Sequence, residues 1–291
     1  MGELYALAAA ITWGLAVILF KKSGETVAPF ALNLFRVVVS LVVLLPLLLA
    51  TGQGLFRPAP ATDYLILALS GIIGIALSDT LFHRALNMIG AGIMAVVDCL
   101  YSPFVLLFAW LLLGEMLTLR QALGMVLVIT GVFVASRHRP PAHLTPRRLV
   151  LGILLGAGAM ATVSFAIVIA KPVLERHPVV WATTVRQIAC VVVMVPTALL
   201  SRRRRAILGV FRPRRDWRYS ATGTLLGSCL ALLFWIAGMK YAQASLVAIL
   251  NQTSTIYVLI FATLFLREPF TRRKGLAAAF AVAGILLVTL S

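Results

Sequence analysis

At 291 residues, with 61% hydrophobic and only 12% charged side chains, the chain is too apolar for a soluble domain, whose surface needs far more charge. By composition it is an integral membrane protein, all-α on the length of the apolar runs described next, and its formal net charge of +17 has to be read against a bilayer before nucleic acid is considered. Cys99, Cys190 and Cys229 lie in separate apolar runs with no CxxC or Cys/His spacing, so neither a disulfide framework nor a zinc site is indicated.

Taken in order, apolar stretches of about 17–25 residues, the length that spans a bilayer core, mark ten crossings. They run near 3–20, 28–50, 64–82, 91–113, 118–136, 149–170, 178–200, 218–239, 244–266 and 272–290. The first run is not read as a secretory signal, because no Lys or Arg precedes it and Lys21-Lys22 follow it. The joints are short and carry breakers such as Gly52-Gln53-Gly54, Arg139-Pro140-Pro141 and Arg212-Pro213, which leaves no room for a soluble domain.

The stretch 91–115, AGIMAVVDCLYSPFVLLFAWLLLGE, returns in altered form 153 positions later as ASLVAILNQTSTIYVLIFATLFLRE. Glu115/Glu268, Thr118/Thr271, Arg120/Arg273 and Asp63/Asp216 match at that offset, and Lys21/Lys171, Arg36/Arg186 and Pro46/Pro196 match at 150. The chain therefore divides into a first five-helix repeat, 1–136, a linker, 137–148, and a second repeat, 149–291. Five is odd, so the second repeat enters the membrane from the opposite face, as in carriers with two access states around a central cavity.

Alternate links carry 19 Lys and Arg against 5 on the other side, which places the first set in the cytoplasm and both termini outside, in the inner (plasma) membrane of the cell. Arg202–Arg205 with Arg212, Arg214 and Arg215 read as orientation signals facing anionic lipid; no nucleic-acid partner is expected.

Ten crossings in two halves, Trp13-Gly14 in the first crossing, and the ends LLLGE-x-LT (111–118) and LFLRE-x-FT (264–271) resemble the drug/metabolite transporter superfamily, EamA branch. The resemblance covers essentially the whole chain and implies a metabolite or amino-acid exporter, with no enzymatic role and no cofactor or metal. Two departures stand out: Val163-Ser164 where Trp13-Gly14 stood, and Arg267 where Gly114 stood.

Four ionisable groups fall at membrane depth, where a charge is costly and turns to protein or a wet cavity: Arg36, Asp79, Asp98 and Arg186. Arg36, Asp79 and Asp98 lie at similar depth and form the candidate structural or coupling ion pair, with Asp98 the preferred partner of Arg36; Asp98 is open also to holding a substrate ammonium or a coupling proton. Asp79, beside His83 and Arg84, reads as an interfacial pair near the cytoplasmic end. Arg186 has no acidic partner in view, since Leu232 replaces Asp79 and Asn251 replaces Asp98. It is left either to bind a substrate carboxylate in bidentate fashion or to reach the interface and backbone carbonyls.

Asn251, Gln252, Thr253 and Thr255 make the ninth crossing polar enough to bind a solute or to join helices, and Ser102 lies on the matching stripe of the fourth. Trp13, Tyr101, Trp235 and Tyr257 are candidates to line a cavity, with packing as the alternative; Trp110, Trp181 and Trp217 read as interface anchors. Pro103 should kink the fourth crossing, and Ile256 at its counterpart should leave the ninth straighter.

The expected function is secondary transport of a small metabolite, an amino acid in the first instance, by alternating access in the bilayer. The alternative is an exporter or flippase of drugs or lipid-linked metabolites. An intramembrane enzyme would need Asp79 and Asp98 as a protease pair, but LSDT and VVDC lack the sequence settings of such enzymes.

Overall fold

The computed structural model describes residues 1–116, 118–136, 145–213, 217–251 and 253–289. Gln252, Arg214, Arg215, Asp216 and Ser291 lie outside the described residues, as does most of the 137–148 link.

The first half begins with α1 (Gly2–Ser23) and α2 (Pro29–Ala50), whose start is set by Pro29 after an extended Ala28. The third crossing is α3 (Ala61–Gly71), a π-helical stretch (Ile72–Leu77) and the first part of α4 (Ser78–Asp98). Gly90, at φ 81°, divides α4, and the fourth crossing runs from there through α5 (Tyr101–Leu113); α6 (Leu119–Ser136) is the fifth.

The second half repeats this order. α7 (Pro146–Arg176), capped by the Thr145 side chain, and α8 (Val179–Leu200) are followed by the short surface helix α9 (Arg204–Leu208). α10 (Trp217–Thr224), a second π stretch (Leu225–Ala231) and α11 (Leu232–Tyr241) form the eighth crossing. The ninth is α12 (Ala244–Asn251) with α13 (Ser254–Leu266), and the tenth is α14 (Arg272–Thr289). Six of these helical stretches are long and apolar enough by themselves to cross a membrane; shorter apolar helices supply the rest.

The halves are inverted. The end of α1 meets the start of α10 through Ser23 Oγ and Ser220 Oγ, 2.6 Å apart, and the start of α3 meets the end of α7 through Asp63 and Arg176. Crossings of equal rank in the two halves thus run in opposite directions.

With lipid outside, helices gain little by hiding apolar surface from each other, so close approach and hydrogen bonds hold the bundle together. The π stretches show how. Gly74 in one and Gly227 in the other stand 153 positions apart, and a Cβ on either would meet the opposite half: Ala166 Cβ at 2.7 Å for Gly74, Ala16 Cβ at 2.9 Å for Gly227. Each half thus lays its widened turn against the other's first helix. Ser70 Oγ and Ser78 Oγ donate to the carbonyls of Ala166 and Ala159 along the same seam, at 2.6 and 2.8 Å.

Two expectations are corrected here. The ninth crossing is interrupted between Asn251 and Ser254, at the same place as the fourth between Asp98 and Tyr101, although Ile256 stands where Pro103 does. Proline is therefore not the common cause. Thr253 Oγ1 donates to Leu250 O at 2.8 Å, and the Thr253 amide bonds that same carbonyl three residues back, so a side chain competes with the helical ladder. Trp181 is not an interface anchor: it is fully buried, donates to Leu55 O at 2.9 Å and lies between His177 and Tyr64.

Candidate transport site

The two interrupted helices and the two π stretches converge on one cavity of about 110 Å³, enough for several water molecules or a small polar group. Eight crossings contribute to its wall; α6 and α14 lie against each other outside it. Asp98 and Asn251, the last residues before the two breaks, both line it, while the rest of the polar stripe of the repeated stretch does not. Trp13, Tyr101 and Trp235 line it too, with Trp235 Nε1 donating to Tyr101 Oη at 3.1 Å. Tyr257 does not; it stacks on Phe261. Ser102 and Thr255 are buried and do not line the cavity, and Thr255 Oγ1 donates to Ala95 O at 3.2 Å, which joins the fourth and ninth crossings.

Within the expected group of Arg36, Asp79 and Asp98, Arg36 pairs with the less favoured of the two acids. Its acid is Asp79, with Oδ2 3.3 Å from Nη1, and not Asp98. Nη1 also donates to His83 Nε2, and Nε to Ser228 Oγ at 2.9 Å. His83 is 1% exposed, so this is a buried cluster on the cavity wall and not the interfacial pair that the sequence suggested. The third crossing remains helical beyond 82, up to the break at Gly90, and that extra length brings Asp79 and His83 deep enough to meet α2. The spacing Asp79-x-x-x-His83 places both on one face and was the available signal.

Arg186 stands in the opposite condition. It is 0% exposed, and Nε, Nη1 and Nη2 have no hydrogen-bond partner among the described residues. The residues around Arg36 explain why. At the 153 offset Asp79, His83 and Ser228 correspond to Leu232, Ile236 and Ile75, so every polar group that satisfies Arg36 has a hydrocarbon at its repeat-related position. The Arg186 guanidinium carbon is 5.8 Å from the Trp235 ring centroid. Arg186 is not itself part of the cavity wall, but Gly74 is, and a Cβ there would stand 3.5 Å from Arg186 Nη2. The missing side chain makes Gly74 the thin part of the wall between the cavity and an unsatisfied, forked donor.

Such a group is costly. An unpaired buried donor forfeits about 1–3 kcal/mol, more when charged, and the bundle bears this at three nitrogens of one side chain.

The sequence profile of the EamA-like transporter family matches this chain twice, over residues 1–137 and 150–290. The chain belongs to the EamA-like transporter family. An "uncharacterized transporter" of Archaeoglobus fulgidus is 24% identical over 288 residues, 99% of this chain and 95% of that protein. A "probable terminal-alkyne amino-acid exporter" of Streptantibioticus cattleyicolor is 25% identical over 286 residues, covering 96% and 90% of the two chains. A solved crystal structure superposes with a TM-score of 0.74 at 20% identity, covering 99% of this chain and 96% of that one, and shares the fold. As an EamA-like transporter the chain is a multi-pass membrane protein that handles a small solute, in ten helices arranged as an inverted repeat.

Proposed function

We propose that this transporter exports an amino acid or a closely related small carboxylate by alternating access, and that Arg186 receives the solute's carboxylate. The observation that carries this reading is the buried guanidinium with three unsatisfied nitrogens behind the bare wall at Gly74. A carboxylate is the ligand whose two oxygens match the fork, and a charge-assisted pair away from water is about twice as strong as a neutral one. Asp98 and Asn251 add a carboxylate and an amide to the wall, which suits the ammonium end of a zwitterion. Trp13, Tyr101 and Trp235 offer faces for the rest of the molecule. The name of the Streptantibioticus relative supports an amino acid and the outward direction. The repeats 1–136 and 149–291, joined by 137–148, are the bodies that rock about this site, and the inner membrane, with both termini outside, is its setting.

The test is counterflow. Liposomes holding the purified protein and preloaded with an unlabelled amino acid should accumulate the labelled one transiently and saturably; a flux linear in concentration, with no overshoot, would refute a carrier. The orientation is checked separately. Phe56, 90% exposed in the second link, should as Phe56→Cys react with an impermeant thiol reagent from outside, and exposed Arg203 as Arg203→Cys only from the cytoplasm. The reverse pattern would invert the topology.

A further inference from the structure

A repeated motif residue that the transport site leaves unused is Glu268, two residues beyond the end of α13. Its carboxylate crosses to the first half: Oε1 accepts from the Ala91 amide at 2.8 Å and Oε2 from the Gly92 amide at 3.0 Å. These amides need an outside acceptor because Gly90, at φ 81°, breaks α4 and starts the fourth crossing as a fresh helix end. A side chain at position 90 would be strained and would stand 3.1 Å from Glu268 Oε1. Lys21 reaches the same corner from α1: its Nζ donates to Asn87 O at 3.4 Å, and Glu268 is one of the charges acting on it. One carboxylate of the second half thus holds the start of the fourth crossing, while Lys21 joins the ends of the first and third.

The residue before it is Arg267, at φ 53° the one non-glycine with positive φ among the described residues. The first half uses Gly114, at φ 69°, in the same place. A side chain in the left-handed region is strained, and here the strain adjoins the contact that holds the two halves together.

We propose that Glu268 is a positioning residue of the transport cycle, a latch that closes the face of the bundle bearing Lys21 and Ser220, and that the left-handed Arg267 stores the strain that helps release it. This rests on the two-access reading above. The opposite face is closed by other chemistry, with Asp63 accepting from Arg176 Nη2 at 2.9 Å and bonded to His177 Nε2 at 2.7 Å. The two closures differ enough to be loosened one at a time.

The experiment measures amide exchange in the full-length protein in nanodiscs, on the peptide that contains Ala91 and Gly92. Glu268→Gln should speed exchange there about tenfold, because the ionised acceptor is lost, and Arg267→Gly should slow it about fivefold, because the strain opposing the latch is removed. As a second readout, Val163→Cys, on the cavity wall, is labelled from the Lys21 face by an impermeant thiol reagent, against the background of the buried native cysteines. Glu268→Gln should raise that labelling and Arg267→Gly lower it. Wild-type exchange in Glu268→Gln, shifts of the same sign in both variants, or faster exchange without greater labelling would each overturn the latch. Carboxylate recognition at Arg186 is judged independently, by uptake.

Discussion

Replacing Arg186 by methionine is expected to lower carrier-mediated uptake about a hundredfold while the purified protein melts at the same temperature as the wild type or higher. The loss follows from removing one member of a buried charge pair formed with the solute, which costs about 2–5 kcal/mol. The gain in stability follows from the apo state, in which the guanidinium has no hydrogen-bond partner among the described residues and is fully buried. An apolar side chain of similar length fills the space without that penalty. A purely structural arginine would behave in the opposite way, so uptake into inverted vesicles and thermal melting of the same preparation separate the readings. Leu232→Asp makes the complementary case. It places an acid at the position related to Asp79 and should satisfy Arg186 from within, raising the melting temperature while blocking transport. Unchanged uptake in Arg186→Met would remove the arginine from the site.

The second large effect concerns the other arginine. Asp79→Asn should lower stability by about 3–5 kcal/mol, because it leaves Arg36, 4% exposed, as a buried charge with only His83 and Ser228 to bond. Adding Arg36→Gln should recover most of that loss, since the pair is then replaced by two neutral groups. The coupling is read from melting of both single variants and the double. Strictly additive losses would mean that the 3.3 Å contact contributes nothing to the folded state.

The two arginines also mark how far the sequence could be read. Arg36 and Arg186 matched in the repeat, and the replacement of Asp79 by Leu232 and of Asp98 by Asn251 already left Arg186 without an acid in view. Substitution at a repeat-related position can be read without knowing which way a helix faces. Choosing between Asp79 and Asp98 for Arg36 did need it. Helices that meet lipid on one side and protein on the other are apolar all round, so the pattern that assigns faces in a soluble protein is missing. Depth was the remaining guide, and it put Asp79 too near the helix end, because the polar run around His83 and Arg84 looked like a link although the helix continues to Gly90.

The π stretches were missed for a similar reason. They leave no compositional trace beyond Gly74 and Gly227, which share the 153 offset with Asp63 and Asp216 and could have been noticed on that ground. The break in the ninth crossing was hidden because Ile256, and not a proline, stands at the counterpart of Pro103; the run from Asn251 to Thr255, polar throughout, was the better signal.

The central assignment is best tested by asking whether Arg186 reads the solute's negative charge. Competition against labelled uptake is compared for an amino acid and for its amide, which keeps the shape and loses the charge, in the wild type and in Arg186→Gln. The wild type should accept the acid and reject the amide, and the variant should bind both weakly and alike. A variant that still prefers the acid as strongly as the wild type does would contradict the assignment.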